Sequence, residues 1–463
     1  MSFKYVLEVP SDYRSKLAVV WFWLAVLTLL GAGIFAVLLV LARTPTIGEL
    51  IPFVDFFHTG LVIHVNLSSL VWILSFASVL WTLNSRPIFS WVAKSSFAIV
   101  LTGTLIIVIS PFLGSANALM SNYIPVLDDT LFLTGLVIFA AGIGLQVTFS
   151  MSAMFKVGEE ISGQGVIRFG LNCAAIGVFV ALAAFIWSYV TLPIQLANEV
   201  YYELLFWSGG HVLQFTYTLL MMVAWLWLSS SAGLSLPLSP RVALFLFGVG
   251  LLSIFMTPLV YYAYDVTDVS HRETFTMLMS FGGSLAIFPL SMAVLLSLFQ
   301  IKPESPIQSS AHTALLTSLL LFGVGGIMGF MIDGNNVKIP AHYHGCIVGV
   351  SLALMGLSYQ LLDALGFKRV NFKLSKIQLW LYAAGQFLHI AGLVWSGGYG
   401  VQRKVAGAAQ GLDSIERIAG MGLMGLGGLL SVIGGFFFIM IVLKALLNKK
   451  DDHMQNNNVH SYN

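Results

Sequence analysis

The chain has 463 residues, of which 58% are hydrophobic and only 9% charged. Soluble domains carry about 25% charged residues, so this composition excludes a soluble globular protein and implies an integral membrane protein. The net charge of +2 says nothing about nucleic acid, but no basic run of the kind that binds it occurs, and the lipid bilayer is the expected partner.

The first 16 residues, "MSFKYVLEVPSDYRSK", are polar. The apolar run that follows is too long for a signal-peptide core, so it reads as a retained first span. Crossing the hydrocarbon takes about 20 apolar residues in a helix. Runs of that length predict twelve spans, at 17–42, 58–83, 92–112, 131–153, 168–195, 203–230, 242–264, 274–300, 312–332, 343–366, 378–398 and 417–445. The runs are continuous and do not alternate, which predicts helices rather than barrel strands. The expected fold is an all-α membrane bundle: a polar segment over 1–16, one twelve-helix domain over 17–445, and a polar, disordered tail over 446–463.

Of 22 Lys and Arg residues, six (Arg43, Arg272, Lys338, Arg403, Lys404 and Arg417) fall on the face opposite the N-terminus. That asymmetry predicts a multi-pass membrane protein with both termini in the cytoplasm. Cys173 and Cys346 lie in separate apolar runs, and no CxxC occurs, so neither zinc nor covalent haem attachment is indicated.

Of 10 histidines, five form one group: His64, His211 and His389 inside predicted spans, and His342 and His344 at the head of span 10. At 1.5 Å per residue, all five lie in the outer part of the membrane. Imidazoles are costly there unless satisfied. Their convergence on four helices points to a shared cofactor layer; bonding to backbone or hydroxyl groups is the competing reading. In "PAHYHGCIVG", positions 342 and 344 differ by about 200° around a helix. The two rings therefore face opposite flanks and suit two metals, not one. Haem iron takes axial imidazole.

With these motifs the chain resembles subunit I of the haem-copper oxidase superfamily, which includes cytochrome c oxidases and nitric oxide reductases. The likeness covers nearly the whole chain and lies towards divergent, non-mitochondrial oxidases. It implies that His64, in "GLVIHVNLSSLVW", and His344 hold a low-spin haem, and that His342 holds a high-spin haem. It implies a second-metal ligand at His211, in "FWSGGHVLQF", and haem propionate partners at Arg403 and Lys404, in "GLVWSGGYGVQRKVAG". His342, His211 and the neighbouring Gln214 are the candidate catalytic residues. Two haems, a separate cupredoxin-like or cytochrome c-like donor subunit and a gas substrate follow from the same resemblance. O2 is the first substrate reading and NO the alternative, with a non-catalytic dihaem carrier or sensor as a third.

The chain departs from that pattern in two places. Where the family has two adjacent histidines to complete its copper site, span 7 ends "PLVYYAYDVTDVSHRE". Tyr261 and Tyr262 stand there, with Asp265 after them. Copper prefers imidazole nitrogen and carboxylates suit harder ions, so copper or non-haem iron is in doubt, and an interfacial aromatic belt is the alternative. His271 reads as too far along the chain to substitute. Phe215 stands one turn after His211, where related oxidases place a tyrosine. Glu203, Asp265, Asp268, Glu273 and Asp333 gather towards the outer face, as a short proton path or as helix caps. His389, in "GQFLHIAGLVW", is expected to contact a haem or the backbone without ligating.

Overall fold

A computed structural model describes residues 3–45, 56–113, 117–158, 161–300 and 302–449. Twelve helices are long and apolar enough to cross a membrane. They are α1 Tyr13–Arg43, α2 Phe57–Asn84, α3 Ser90–Phe112, α4 Thr130–Ser152, α5 Gly163–Thr191, α6 Asn198–Ser231, α7 Pro240–Ala263, α8 Val269–Leu298, α9 Pro306–Phe330, α10 Lys338–Ala364, α11 Phe372–Gly398 and α12 Ile415–Leu446. Each matches one predicted span, but most start several residues earlier. At α9 the cause is a capping box, in which Ser305 and Gln308 bond each other's backbone N–H. Apolar counting finds the hydrocarbon crossing and misses the polar first turn.

Three helices form the interior. For α2, α6 and α10, 72%, 89% and 83% of the apolar window is buried, against 33–56% for the other nine. These three carry His64, His211, His342 and His344. Sequence neighbours pack around them, most closely as α11 with α12, α9 with α10, α3 with α4 and α5 with α6. Between α9 and α10 the backbones touch at Gly325 and Gly345, where a Cβ on either would meet the other chain segment. Small residues permit such close crossings in membranes, and this one sets the distance from which His342 reaches α9.

Both ends of the described chain are tied to inter-helix turns. Tyr5 is 2% exposed, and its hydroxyl donates to the Leu238 carbonyl over 2.9 Å. The polar N-terminal segment is therefore tucked beneath the α6–α7 turn. At the other terminus the Lys368 N–H donates to the Asn448 carbonyl over 2.9 Å. From residue 450 onwards the expected polar tail lies outside the described residues.

The end of the bundle opposite those turns carries the histidines and two features that hydropathy cannot reveal. A π-helical turn, Asn66–Val71, begins two residues after His64; such turns recur at functional sites. A short antiparallel hairpin, β1 Asn117–Leu119 with β2 Val126–Asp128, stands between α3 and α4. The Asn66 amide, inside the π turn, donates to the carbonyls of Val62 and Pro125 over 2.9 and 2.8 Å. It thereby fastens the hairpin tip to α2.

Candidate functional site

Three of the histidines share one pattern. The Nδ1–H of His64 on α2 donates to the Ala32 carbonyl of α1 over 2.9 Å. That of His342 on α10 donates to the Gly325 carbonyl of α9 over 2.7 Å. That of His389 on α11 donates to the Met424 carbonyl of α12 over 2.9 Å. A carbonyl that takes Nδ1–H fixes the tautomer and leaves the Nε2 lone pair free for a metal, the arrangement usual in ligating histidines. Among the described residues no hydrogen bond reaches Nε2 in any of the three.

His344 lies against His389 instead, with ring centroids 4.6 Å apart, and has His64 and Gln386 as further neighbours. Imidazoles from α2, α10 and α11 thus converge in one pocket. His342 points the other way, towards α9, so the two rings of HYH do leave opposite flanks of α10. Half-buried imidazoles with fixed tautomers and free Nε2 atoms suit a pair of haem irons, and on that observation the donor set fits the group.

A second neighbourhood surrounds His211 on α6, and the stretch "WSGGH" explains it residue by residue. The His211 Nδ1–H donates to the Trp207 carbonyl over 2.7 Å, and its Nε2 accepts the Tyr123 hydroxyl over 2.9 Å. Ser208 bonds the Tyr261 hydroxyl. A Cβ at Gly209 would overlap Phe185, and one at Gly210 would overlap the Tyr123 ring. Glycine at 210 is what lets the hairpin tip lay Tyr123 on His211, with ring centroids 4.8 Å apart. Burial, with Glu203 nearby, pushes the Tyr123 phenol well above its usual range, so it stays a donor.

The remaining metal candidates do not converge on His211. Tyr261 is 8% exposed, but its hydroxyl is taken by Ser188 at 2.7 Å, the Ala184 carbonyl at 2.8 Å and Ser208. Tyr262 is 90% exposed and faces away from the bundle. Asp265 is exposed on the α7–α8 turn. Gln214, one turn deeper than His211, is half-buried and its side-chain amide makes no hydrogen bond among the described residues. His271, expected to lie too far along the chain to substitute as a ligand, joins no metal site among the described residues. The α7–α8 turn folds back, and the His271 ring packs 5.0 Å from that of Tyr261, fully buried and with neither nitrogen bonded among the described residues.

Cations gather above the His64 pocket. Arg403 donates to Asn335 over 2.5 Å and to Asn122 over 2.7 Å. Lys404 donates to the Met120 carbonyl, and its own carbonyl accepts from His58 over 2.9 Å. Burial, and then the Arg403 charge beside it, push the Lys404 amine down to about 8. Its backbone is left-handed, at φ 62°, a conformation costly for a residue with a side chain. Asn122 in turn bonds both Glu203 carboxylate oxygens. Arg43, at the end of α1, has a buried Nε with no partner among the described residues, a donor suited to an anionic group.

Sequence reasoning missed the contacts of Tyr123 with His211, of His271 with Tyr261 and of His389 with His344, and the orphaned Nε of Arg43. Only His389 carried a signal, an imidazole in an apolar run at the depth of the others. Tyr123 lies in a loop whose fold hydropathy does not encode.

Residues 16–437 match the family described as Cytochrome C and Quinol oxidase polypeptide I. An uncharacterized protein of Rickettsia prowazekii (strain Madrid E) is 30% identical over 501 aligned positions, covering 94% of this chain and 97% of that one. An uncharacterized protein of Aquifex aeolicus (strain VF5) is 28% identical over 361 positions, covering 77% and 87%. The cryo-EM structure of a heme-copper terminal oxidase dimer shares the fold at a TM-score of 0.75 and 18% identity, over 96% of this chain and 85% of that one. The chain belongs to the cytochrome c and quinol oxidase polypeptide I family, the subunit I type of haem-copper respiratory oxidase.

Proposed function

We propose that the protein is the haem-bearing catalytic subunit of a bacterial inner-membrane oxidoreductase that reduces O2. His64 and His344 would hold a low-spin haem and His342 a high-spin one. When bound, the haems supply one-electron carriers that pass electrons from a separate donor subunit, cupredoxin-like or cytochrome c-like, to the gas. The observation that carries this reading is the shared pattern of His64 and His342, Nδ1–H on a carbonyl of the adjacent helix and Nε2 free. The six-of-22 distribution of Lys and Arg supports a periplasmic histidine end. Arg403, Lys404 and Arg43 suit haem carboxylates there, since guanidinium pairs with a carboxylate through two parallel bonds.

NO reduction is the second reading. Phe215, 4% exposed, stands one turn from His211 and has no phenol to supply a proton and electron for O–O cleavage; joining two NO molecules requires no such cleavage.

The test is spectroscopic. Purified protein should show two haems per chain, one of which binds carbon monoxide when reduced. His64→Ala should abolish the low-spin spectrum and preserve gas binding. Turnover with O2 and with NO then separates the two readings. A colourless preparation from haem-replete cells would end both.

A further inference from the structure

We propose that His211 is the hydrogen-bonded partner of Tyr123 and not a metal ligand, so that this site on α6 holds a phenol–imidazole pair in place of a second metal. This deepens the functional reading above, which leaves the second metal open.

The donors a second metal needs are already committed. A histidine offers one lone pair, and in His211 it accepts the Tyr123 hydroxyl at 2.9 Å while Nδ1–H is held by Trp207 at 2.7 Å. The contact is built in from three directions. Gly210 clears the space for the phenol ring. Asn66 holds the hairpin tip through the Pro125 carbonyl at 2.8 Å. Asn122, next to Tyr123, is gripped by Glu203 and Arg403. A tyrosine restrained on both sides is not a side chain that swings away at small cost.

No other donors make up the loss. Tyr261 spends its hydroxyl on Ser188 and Ala184, and Tyr262 faces outward. His271 packs on Phe275, ring centroids 5.1 Å apart, and the same Phe275 ring lies 6.1 Å from that of His211. Among the described residues no three His, Cys, Asp or Glu side chains converge as a metal site. One imidazole with phenols around it is a poor set for copper, and a neutral set without carboxylate is a poor one for non-haem iron.

The decisive measurement counts metals and haem separately on protein purified from copper- and iron-replete cells. Total iron should equal haem, and copper should be far below one per chain. One copper, or one iron in excess of haem, that disappears in His211→Ala overturns the proposal. A chain with no haem and no copper would refute the two-haem reading while leaving the pair intact, so the two failures are distinct. The pair itself is read by thermal unfolding of Tyr123→Phe, His211→Leu and the double variant. The double variant should lose no more than the worse single one. Strictly additive losses would show two uncoupled side chains and overturn the proposal. Should a variant fail to accumulate, the metal count on the unaltered protein still decides.

Discussion

The rings of His344 and His389 lie 4.6 Å apart at 55° to one another, on adjacent helices α10 and α11. His389 keeps its Nδ1–H on Met424, so its ring is held by the backbone, while that of His344 bonds no backbone carbonyl among the described residues and has the Gln386 side chain as its partner. His389 is therefore the wall against which His344 is positioned. His389→Ala should leave low-spin haem present but weaken its retention about 10–100-fold, as loss of a supporting partner does. It should also broaden the low-spin absorption band. Complete loss of that band, equal to the effect of His64→Ala, would make His389 a ligand instead.

The α9–α10 crossing predicts a more selective lesion. A Cβ at Gly325 meets the Gly345 and Cys346 backbone, and the Gly325 carbonyl is what holds His342. Gly325→Ala should cost about 1–3 kcal/mol through overpacking and should reduce carbon monoxide binding before it touches the low-spin spectrum. Equal loss of both signals would show that the bundle responds as one rigid body at this point.

The fold and the placement of the span histidines were legible because they depend on quantities a sequence carries directly. Twelve apolar runs give twelve helices, and 1.5 Å per residue gives depth. The HYH spacing likewise gives two flanks, one facing α9 and one facing α11. What failed was long-range closure by polar loops. His271 lies beside Tyr261 because the α7–α8 turn folds back, a contact that distance along the chain does not show, though it joins no metal site among the described residues. Tyr123 offered no periodic signal, because its position depends on a hairpin of three-residue strands and on Gly210 in a distant helix.

Lys404 makes a pH prediction with a definite sign. Folding lowers its amine from 10.5 to about 8, chiefly by burial and next by Arg403. The unfolded chain binds more protons between those values, so this residue's contribution to stability rises as pH climbs through the window from about 8 to 10.5. Below about 8 the amine is charged in its half-buried place and the full cost applies. Pulsed acetylation read by mass spectrometry should find Lys404 half-maximally reactive near pH 8. Half-maximal reaction of Lys404 only near 10.5, the ordinary lysine value, would refute the shift.

Arg403 holds together two loops at the histidine end, reaching Asn335 from one side and Asn122 from the other. It could act through its charge, through those ties, or through both, and two variants separate them. Asn335→Ala cuts one tie and leaves the charge. Arg403→Ala removes the charge as well as both ties. A cation beside a haem carboxylate favours the reduced, less positive haem, so its removal should lower the midpoint potential of the low-spin haem. Redox titration should therefore find Arg403→Ala shifted negative and Asn335→Ala close to the parent protein. Proteolysis of the 399–414 loop should rise in both. Equal potentials in all three proteins, with the loops loosened, would reduce Arg403 to a strut.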